Sequence, residues 1–237
     1  MSVRATLRRY HVWLGWLVGI PVLIWTISGL VMVMKPIDEV RGADLIAPTK
    51  PITPMDHMVV PSLGGLPVST LRLEQRSDGP RWIVTLKDGT TRQADPATGA
   101  LLPALNASQA AQEVLSRYTG QAQLVATTRT DAKKPPLELR KPVETWNVQM
   151  SDGTHFFVDT QSGDIVARRT AWWRVYDFFW GLHIMDIQGR EDNNNPWVVT
   201  LGALASVMAL LAMVLLFTTI RRKPAGSARP KASSNRR

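Results

Sequence analysis

Two long runs without a charged residue constrain the fold of this chain most strongly. They cover residues 12–34 and residues 197–220, and they contain 23 and 24 residues. A helix of this length spans about 35 Å at 1.5 Å per residue, which exceeds the hydrocarbon core of a bilayer, about 30 Å. Neither run has the polar stripe of a soluble amphipathic helix. The sequence therefore predicts two transmembrane helices.

The net charge of +9 is concentrated in the flanks of these runs. Three arginines precede residue 12 and seven basic residues follow residue 220, with no acidic residue among them, whereas residues 35–196 contain 18 basic and 19 acidic residues. Basic flanks are typical of cytoplasmic loops. We therefore expect both termini in the cytoplasm of a bacterial inner membrane and the central region in the periplasm. The basic flanks favour contact with membrane lipid, and no nucleic-acid partner is expected.

The first run is predicted to remain attached as an anchor. Its apolar stretch is longer than that of a signal peptide, and the Lys-Pro-Ile-Asp sequence that follows offers no small-x-small cleavage site. The chain contains no cysteine, which excludes disulfides and thiolate sites. No nucleophile motif, phosphate loop, dinucleotide fingerprint or zinc spacing occurs. We expect no autonomous catalytic site.

The central region contains an internal repeat. The stretch that begins at Trp82, WIVTLKDGTTRQADPATGALL, aligns with WNVQMSDGTHFFVDTQSGDIV from Trp146, at an offset of 64 residues. Each copy alternates apolar residues and contains Asp-Gly, which together predict a β-hairpin. Between the copies, residues 106–120 predict a helix with Asn106 or Ser108 as the cap. Its predicted inward-facing residues are Ala110, Val114, Leu115 and Tyr118.

The predicted fold is therefore an α+β periplasmic domain, made of two hairpin repeats and a packed helix, flanked by two transmembrane α-helices. A short helix is predicted near residues 55–59, within the connector. The predicted segments are a cytoplasmic N-terminus (1–11), transmembrane helix 1 (12–34), an extended connector (35–70), the repeats (71–170), an aromatic interfacial segment (171–196), transmembrane helix 2 (197–220) and a disordered basic cytoplasmic tail (221–237).

The repeated W-x-V-x-(L/M)-x-D-G-T…D-x-x-(T/S)-G unit resembles the PepSY domain. Together with RRYHVWLGW…ISGLVM and LHIMD…R-x-D-N-x-N-x-P, it is similar to the PepSY-associated transmembrane family, also described as iron-regulated membrane proteins. The resemblance covers nearly the whole chain apart from the tail. It implies an accessory or haem-b-binding component of membrane electron transfer in iron (siderophore) acquisition, in which histidines at helix ends bind haem b. If the chain has an enzymatic role, the resemblance implies that it is a component of a haem-dependent membrane reductase. The motif histidines of the family map onto His11 and His183.

Topology limits how these two histidines could bind haem. They are predicted at opposite ends of the membrane, so one haem cannot join them within a chain. A second axial ligand would come from a homodimer, from a protein partner, or from Met32, Met34 or Met185. Asn195 stands where a further histidine would be expected.

Both histidines also have a structural interpretation, as interfacial residues that hydrogen-bond to lipid headgroups or to neighbouring backbone. Structural roles are expected for His57 and for His155, which is predicted to be a solvent-facing strand residue. The acidic and basic residues near residue 190 predict an ion-paired turn rather than a metal site; they are Asp186, Arg190, Glu191 and Asp192. The alternative function is a non-enzymatic periplasmic interaction module, which would restrain a peptidase or assemble a complex and would tolerate loss of either histidine.

Overall fold

The structure is a computed structural model that describes residues 3–220, and side chains up to residue 218. The predicted disordered tail, residues 221–237, lies outside the described residues. The chain divides into two compact units. One is Met32–Phe178, and the other joins the described parts of Met1–Val31 and Phe179–Arg237.

The second of these units contains two helices that are long and apolar enough to cross a membrane. Helix α1 is Val3–Met32, so it begins nine residues before the predicted span. The polar residues of its first turns contain neither proline nor glycine and therefore continue the helix. The other apolar helix is Pro196–Ile220, and proline occupies its first position as expected. The side-chain oxygen of Asn195 accepts from the backbone N–H groups of Trp197 and Val198, at 3.1 and 3.2 Å, and so caps this helix.

The unit Met32–Phe178 begins with a connector that is less regular than the repeats. It contains a short helix α2, Ile37–Val40, and a 3-10 turn, Ala43–Leu45. The predicted helix near residues 55–59 is wrong, because this segment is irregular, with a bend at Asp56. The N–H of Val59 donates to the Pro96 carbonyl at 2.8 Å, and the Val59 carbonyl accepts from Trp82 Nε1 at 2.9 Å. These long-range bonds replace the local bonds of a helix.

The rest of this unit contains two antiparallel sheets and a helix, which is an α+β architecture. The first sheet has three strands in the order β1-β2-β3, and the second has four in the order β4-β5-β6-β7. The strands are β1 Val68–Arg76, β2 Gly79–Leu86, β3 Thr91–Ala94, β4 Leu124–Thr130, β5 Thr145–Met150, β6 His155–Asp159 and β7 Ile165–Arg169.

The two aligned stretches fold into hairpins with equivalent registers. Trp82 is opposite Ala94 in the first, and Trp146 is opposite Val158 in the second. In each turn the aspartate carboxylate accepts the N–H of the threonine two residues later, at 2.8 Å, and the intervening glycine has a positive φ. Each Asp-Gly-Thr sequence therefore closes its hairpin by the same side-chain contact.

Helix α3, Ala107–Leu115, packs against the second sheet. Its cap is Asn106, which forms a reciprocal capping box with Gln109. Ala110 and Val114 are buried against strands β5 and β6, as predicted. The predicted burial of Leu115 is wrong, since this side chain is 44% exposed. Its place in the buried face is taken by Ala111 and Glu113.

Helix α4, Ala171–His183, follows strand β7 and contains residues of both units. The ring of Trp173 is 8% exposed, and the guanidinium carbon of Arg169 lies 4.3 Å from its centroid. This ring is therefore buried against arginines, whereas the sequence predicted only that the whole aromatic segment lies at the membrane interface. The sequence places Trp173 among several aromatic residues and could not distinguish the one that packs inward.

Gly163 and Gly153 offer a matched test of turn strain, because both have φ near +75°, at +74° and +79°. A Cβ at Gly163 would lie 2.9 Å from Gln93 Nε2, whereas one at Gly153 would meet nothing closer than 3.8 Å. Gln93 Nε2 donates to the buried Ser162 carbonyl at 2.7 Å, so moving it breaks that bond. We expect Gly153→Ala to lower the free energy of unfolding by about 1–2 kcal/mol and Gly163→Ala by about 1 kcal/mol more.

Denaturant unfolding of the full chain in detergent measures the difference. Equal losses for the two alanine variants would show that the contact with Gln93 adds nothing to the backbone strain.

Candidate functional site

The ring of His183 lies against helix α1, within the unit that contains both membrane helices. It stacks on Trp25 with 4.8 Å between the ring centroids and 16° between the planes. Its Nδ1 lies 3.0 Å from Ser28 Oγ and 3.1 Å from the Trp25 carbonyl oxygen. The side chain of Ser28 is fully buried. Two polar contacts and one stacking contact therefore fix the orientation of the imidazole.

These contacts also select the tautomer of His183. The hydroxyl of Ser28 donates to the Trp25 carbonyl at 2.8 Å, so its single proton is already used. Both atoms near Nδ1 then act as acceptors, which places the ring proton on Nδ1 in the neutral imidazole. The lone pair remains on Nε2. Metal-binding histidines have this arrangement, with one nitrogen donating to a carbonyl or similar acceptor and the other free to bind.

Gly29 gives the ring of His183 the space that it occupies. A Cβ at this position would lie 3.3 Å from His183 Cε1, tighter than ordinary van der Waals contact. The sequence interpretation missed Ser28, Gly29 and Trp25 as parts of the site. A serine within an apolar span was the available signal, because a polar side chain there usually has a specific partner.

A cavity of about 420 Å³ lies between the two membrane helices beside this site. Trp25 and Pro21 line it from α1, and Gly202 and Ser206 line it from the helix Pro196–Ile220, which we label α5. Met185, one of the methionines considered as a second ligand, also lines it. The wall is predominantly apolar, as an environment for a porphyrin would be.

His11 lies near the opposite end of α1, in a second cavity of about 870 Å³. Its Nδ1 is buried and has no hydrogen-bond partner among the described residues. Ser28 contacts His183 and follows His11 by 17 positions in α1, which corresponds to about 26 Å at 1.5 Å per residue. The two imidazoles therefore cannot bind one iron within a single chain.

The loop that joins His183 to α5 is organised by Asn195 and Asp186. The amide of Asn195 donates to the carbonyls of Ile184 and Asp192, at 2.7 and 2.8 Å, while its oxygen caps α5. Backbone N–H bonds from Glu191, Asp192 and Gly189 lower the pKa of Asp186 below its usual value. Asn195 therefore caps α5 at the position where the family resemblance led us to expect a further histidine.

The remaining histidines lie in the unit Met32–Phe178. His57 is exposed in the connector. His155 is only partly exposed, and its Nδ1 lies 2.8 Å from Glu138 Oε2. The prediction of a solvent-facing His155 is therefore wrong, because the loop between β4 and β5 brings Glu138 onto this strand. Among the described residues, no group of three or more histidine, aspartate or glutamate side chains could hold a metal ion.

Glu138 should make the free energy of unfolding depend on pH. Burial raises the pKa of Glu138, but contacts with Arg174 and His155 outweigh it, so the pKa lies below the ordinary 4.5. A carboxylate whose folded-state pKa is depressed stabilises the fold above its unfolded pKa, and this contribution is lost as pH falls through the folded pKa. The free energy of unfolding of the unsubstituted chain should fall between neutral pH and pH values below 4.5. In Glu138→Gln we expect this fall to be smaller, because the substituted side chain does not titrate.

Unfolding in detergent across this pH range provides the measurement. Asp56→Asn, at an exposed position of the connector, is the control. The same pH profile for Glu138→Gln and the unsubstituted chain would contradict the assignment.

Residues 8–237 match the model of the family described as the PepSY-associated TM region. No curated protein and no solved structure matches the chain.

Proposed function

We propose, from the premise that this chain belongs to the PepSY-associated TM region family, that it is a haem-b-binding component of membrane electron transfer in iron (siderophore) acquisition. The family and the two apolar helices make it a membrane protein. In this proposal it lies in the bacterial inner membrane, with both termini in the cytoplasm. The unit Met32–Phe178, with its two PepSY-like repeats, lies in the periplasm.

The observation that carries this proposal is the imidazole of His183. Its Nδ1 is engaged by Ser28 and the Trp25 carbonyl, so Nε2 keeps the lone pair that would bind a haem iron. Stacking on Trp25 restricts rotation of the ring. The fit to haem therefore rests on the donor chemistry of His183 and on an apolar cavity that Trp25, the stacking partner of His183, lines.

His11 would belong to a separate site, because about 26 Å of helix separates it from the residues that hold His183. Each site would need a second ligand for the haem iron, from a second copy of the chain or from a protein partner. Met185 is the candidate within the chain, since it lines the cavity to which Trp25 contributes. Bound haem would supply one-electron chemistry, and the chain would position it within the membrane.

The absorption spectrum of protein purified from haem-replete cells tests the proposal. We expect a Soret band, and His183→Ala should remove the part of it that arises from the His183 site. His11→Ala should remove the other part. His57→Ala is the matched control, because His57 is an exposed histidine of the connector. A colourless protein, with a spectrum unchanged by addition of haemin, would refute haem binding.

A second candidate function is a non-enzymatic periplasmic interaction module that restrains a peptidase or assembles a complex. The exposed edge of the second sheet favours it, since β4 is a terminal strand and its Val125 is 65% exposed. This function predicts that His183→Ala and His11→Ala preserve binding of the periplasmic partner. It also predicts that Val125→Lys weakens binding of that partner without unfolding the protein.

A further inference from the structure

Strand β1 forms one edge of the first sheet. It pairs with β2 along its length and, in the part of the chain that the structure describes, with no other strand. The hairpin closes with Arg76 opposite Gly79 across a two-residue turn, so the backbone groups of Arg76 point towards β2. Because backbone groups alternate in direction along a strand, those of Leu71, Leu73 and Gln75 point to the free edge. Such an edge is a template for a further strand.

The regular part of this edge is Thr70–Arg76, because the register with β2 shifts just before it. Leu71 and Arg72 are exposed there. The connector contacts this stretch through a side chain, since the N–H of Thr53 donates to Gln75 Oε1 at 2.9 Å. Within residues 3–220, no hydrogen bond engages the outward N–H and C=O groups of the strand. These groups are therefore available to pair with another chain.

The charges of β1 select one way in which a second copy of the chain can pair with this edge. Arg72 and Glu74 lie on one face of the strand, with 2.7 Å between Arg72 Nη1 and Glu74 Oε1. An antiparallel pairing about a two-fold axis at Leu73 places Arg72 opposite the partner's Glu74, and Glu74 opposite the partner's Arg72. Opposite charges that face each other across two strands are stabilising. The same axis places the two Leu73 residues in a hydrogen-bonded pair, which uses their outward backbone groups.

The other two-fold registers lack this match. An axis at Arg72 sets two guanidinium groups opposite each other, and an axis at Glu74 sets two carboxylates opposite each other, which is destabilising in both cases. An axis at Gln75 would require the side chain of Arg76, which is only 5% exposed and so is not available to a second chain. An axis at Leu71 pairs neither charge of the strand with an opposite charge. The register centred on Leu73 is therefore favoured.

Strand β4, at the edge of the second sheet, offers no such match. Its single charged residue is Arg129, and the Nη2 atom of this residue lies 2.8 Å from Glu144 Oε1 of the same chain. A second copy that paired with β4 would therefore gain no pair of opposite charges within the strands. The charge pattern distinguishes β1 as the edge that fits a copy of itself.

We propose that β1 is an interface between two copies of this chain, which pair antiparallel about a two-fold axis at Leu73. Each first sheet has three strands, so the pairing joins them into one sheet of six. The occupant of each edge is the partner's β1, over residues 71–75. The interface involves residues of the unit Met32–Phe178 alone, so it does not depend on bound haem.

Disulfide crosslinking of the full chain in bacterial membranes tests the register, because the chain contains no cysteine of its own. With copper phenanthroline as the oxidant, Leu73→Cys should give a covalent dimer, since two Cα atoms on the axis lie about 5.5 Å apart. Leu71→Cys should give about tenfold less dimer, because its two copies lie about 14 Å apart in this register. Val125→Cys, on the exposed edge of β4, is the control and should give as little dimer as Leu71→Cys.

Charge reversal in the Leu73→Cys background tests the match between the strands. Arg72→Glu should lower the yield of dimer about tenfold, because both cross-strand pairs then become repulsive. Co-expression of this variant with Glu74→Arg should restore crosslinking between the two, since the mixed pair again has opposite charges across the strands. Such rescue also shows that both variants are folded. Arg92→Glu, at an exposed position of β3, is the control and should change the yield by less than about twofold.

Four results would overturn the proposal. Equal yields from Leu73→Cys and Leu71→Cys would indicate random collision, and no dimer from either would remove the interface. More dimer from Val125→Cys than from Leu73→Cys would identify β4 as the edge that pairs. A loss in Arg72→Glu that co-expression with Glu74→Arg does not restore would show that the charge match does not hold the strands together. Crosslinking has no haem readout, so its failure leaves the spectroscopic test of His183 standing.

Discussion

Arg140→Ala is expected to lower the free energy of unfolding by about 3–5 kcal/mol, the usual cost of breaking a buried ion pair from one side. Nη2 of Arg140 lies 2.6 and 2.7 Å from the two carboxylate oxygens of Asp177 in α4. The Asp177 side chain is only 5% exposed, so the substitution leaves a buried carboxylate without this partner. The substitution also removes a guanidinium 5.7 Å from the centroid of the Trp173 ring.

The backbone at Arg140 makes the contact more informative. Its φ is +53°, a left-handed conformation that costs free energy for any residue with a Cβ. Arg140→Gly would relieve this strain while losing the same ion pair. It should therefore be less destabilising than Arg140→Ala by about 1 kcal/mol.

Denaturant unfolding in detergent distinguishes these effects. Arg92→Ala, at an exposed position of β3, is the control and should change the free energy of unfolding by less than about 0.5 kcal/mol. Adding Asp177→Asn to Arg140→Ala should restore part of the loss, because it removes the buried charge. A loss below 1 kcal/mol for Arg140→Ala, or a further loss on adding Asp177→Asn, would contradict the expected role of the pair.

The hairpins and the helix between them were accessible from sequence because their determinants are local. Asp88-Gly89 and Asp152-Gly153 bend the chain through contacts within three residues, and strand alternation then fixes the pairing. The cap at Asn106 is equally local, since its partner Gln109 lies in the first turn of α3. Patterns that close within a few residues can be interpreted without knowledge of the tertiary fold.

Contacts between distant segments were not accessible in this way. The segment between β4 and β5 carries Glu138, Leu139 and Arg140 to β6, β7 and the start of α4. Its charged and proline-rich sequence is equally typical of an exposed loop. Its partners lie up to 37 positions away, so no local pattern in the sequence identifies them.

The candidate site at His183 was only partly accessible for the same reason. The sequence predicted His183 as a site residue, because it lies at the edge of the membrane and matches a family motif. Its partners Trp25 and Ser28, however, lie 158 and 155 positions earlier. Which face of α1 meets the ring depends on how the two segments pack. The hydrogen bonds that select the tautomer are therefore a result of the structure alone.

Gly29→Val is expected to abolish the part of the Soret band that depends on His183 while leaving the polypeptide folded. A Cβ at Gly29 already reaches to 3.3 Å from Cε1 of the imidazole, and valine adds two further carbons. The ring must move, which breaks the 3.0 Å contact between its Nδ1 and Ser28 Oγ. Without that contact, the imidazole is no longer held in the tautomer and the orientation that haem binding requires. This prediction therefore rests on the proposed haem site.

The size of the substituent provides a graded comparison. Gly29→Ala demands a shift of only a few tenths of an ångström, so we expect haem affinity to fall by about tenfold, the usual effect of disturbing the residues that orient a metal ligand. Gly29→Val should match His183→Ala. Leu30→Val is the control, because it places valine in the same turn of α1 at a position that is 61% exposed.

The result that would sink this prediction is a Soret band of full intensity in Gly29→Val together with its loss in His183→Ala. Haem binding would then depend on His183 without depending on the position of its ring beside α1. A loss of band intensity in Leu30→Val equal to that in Gly29→Val would instead trace the effect to helix α1 as a whole. The expected order, with Leu30→Val unchanged, Gly29→Ala reduced and Gly29→Val lost, follows only if close packing against Gly29 holds the imidazole in its ligand geometry.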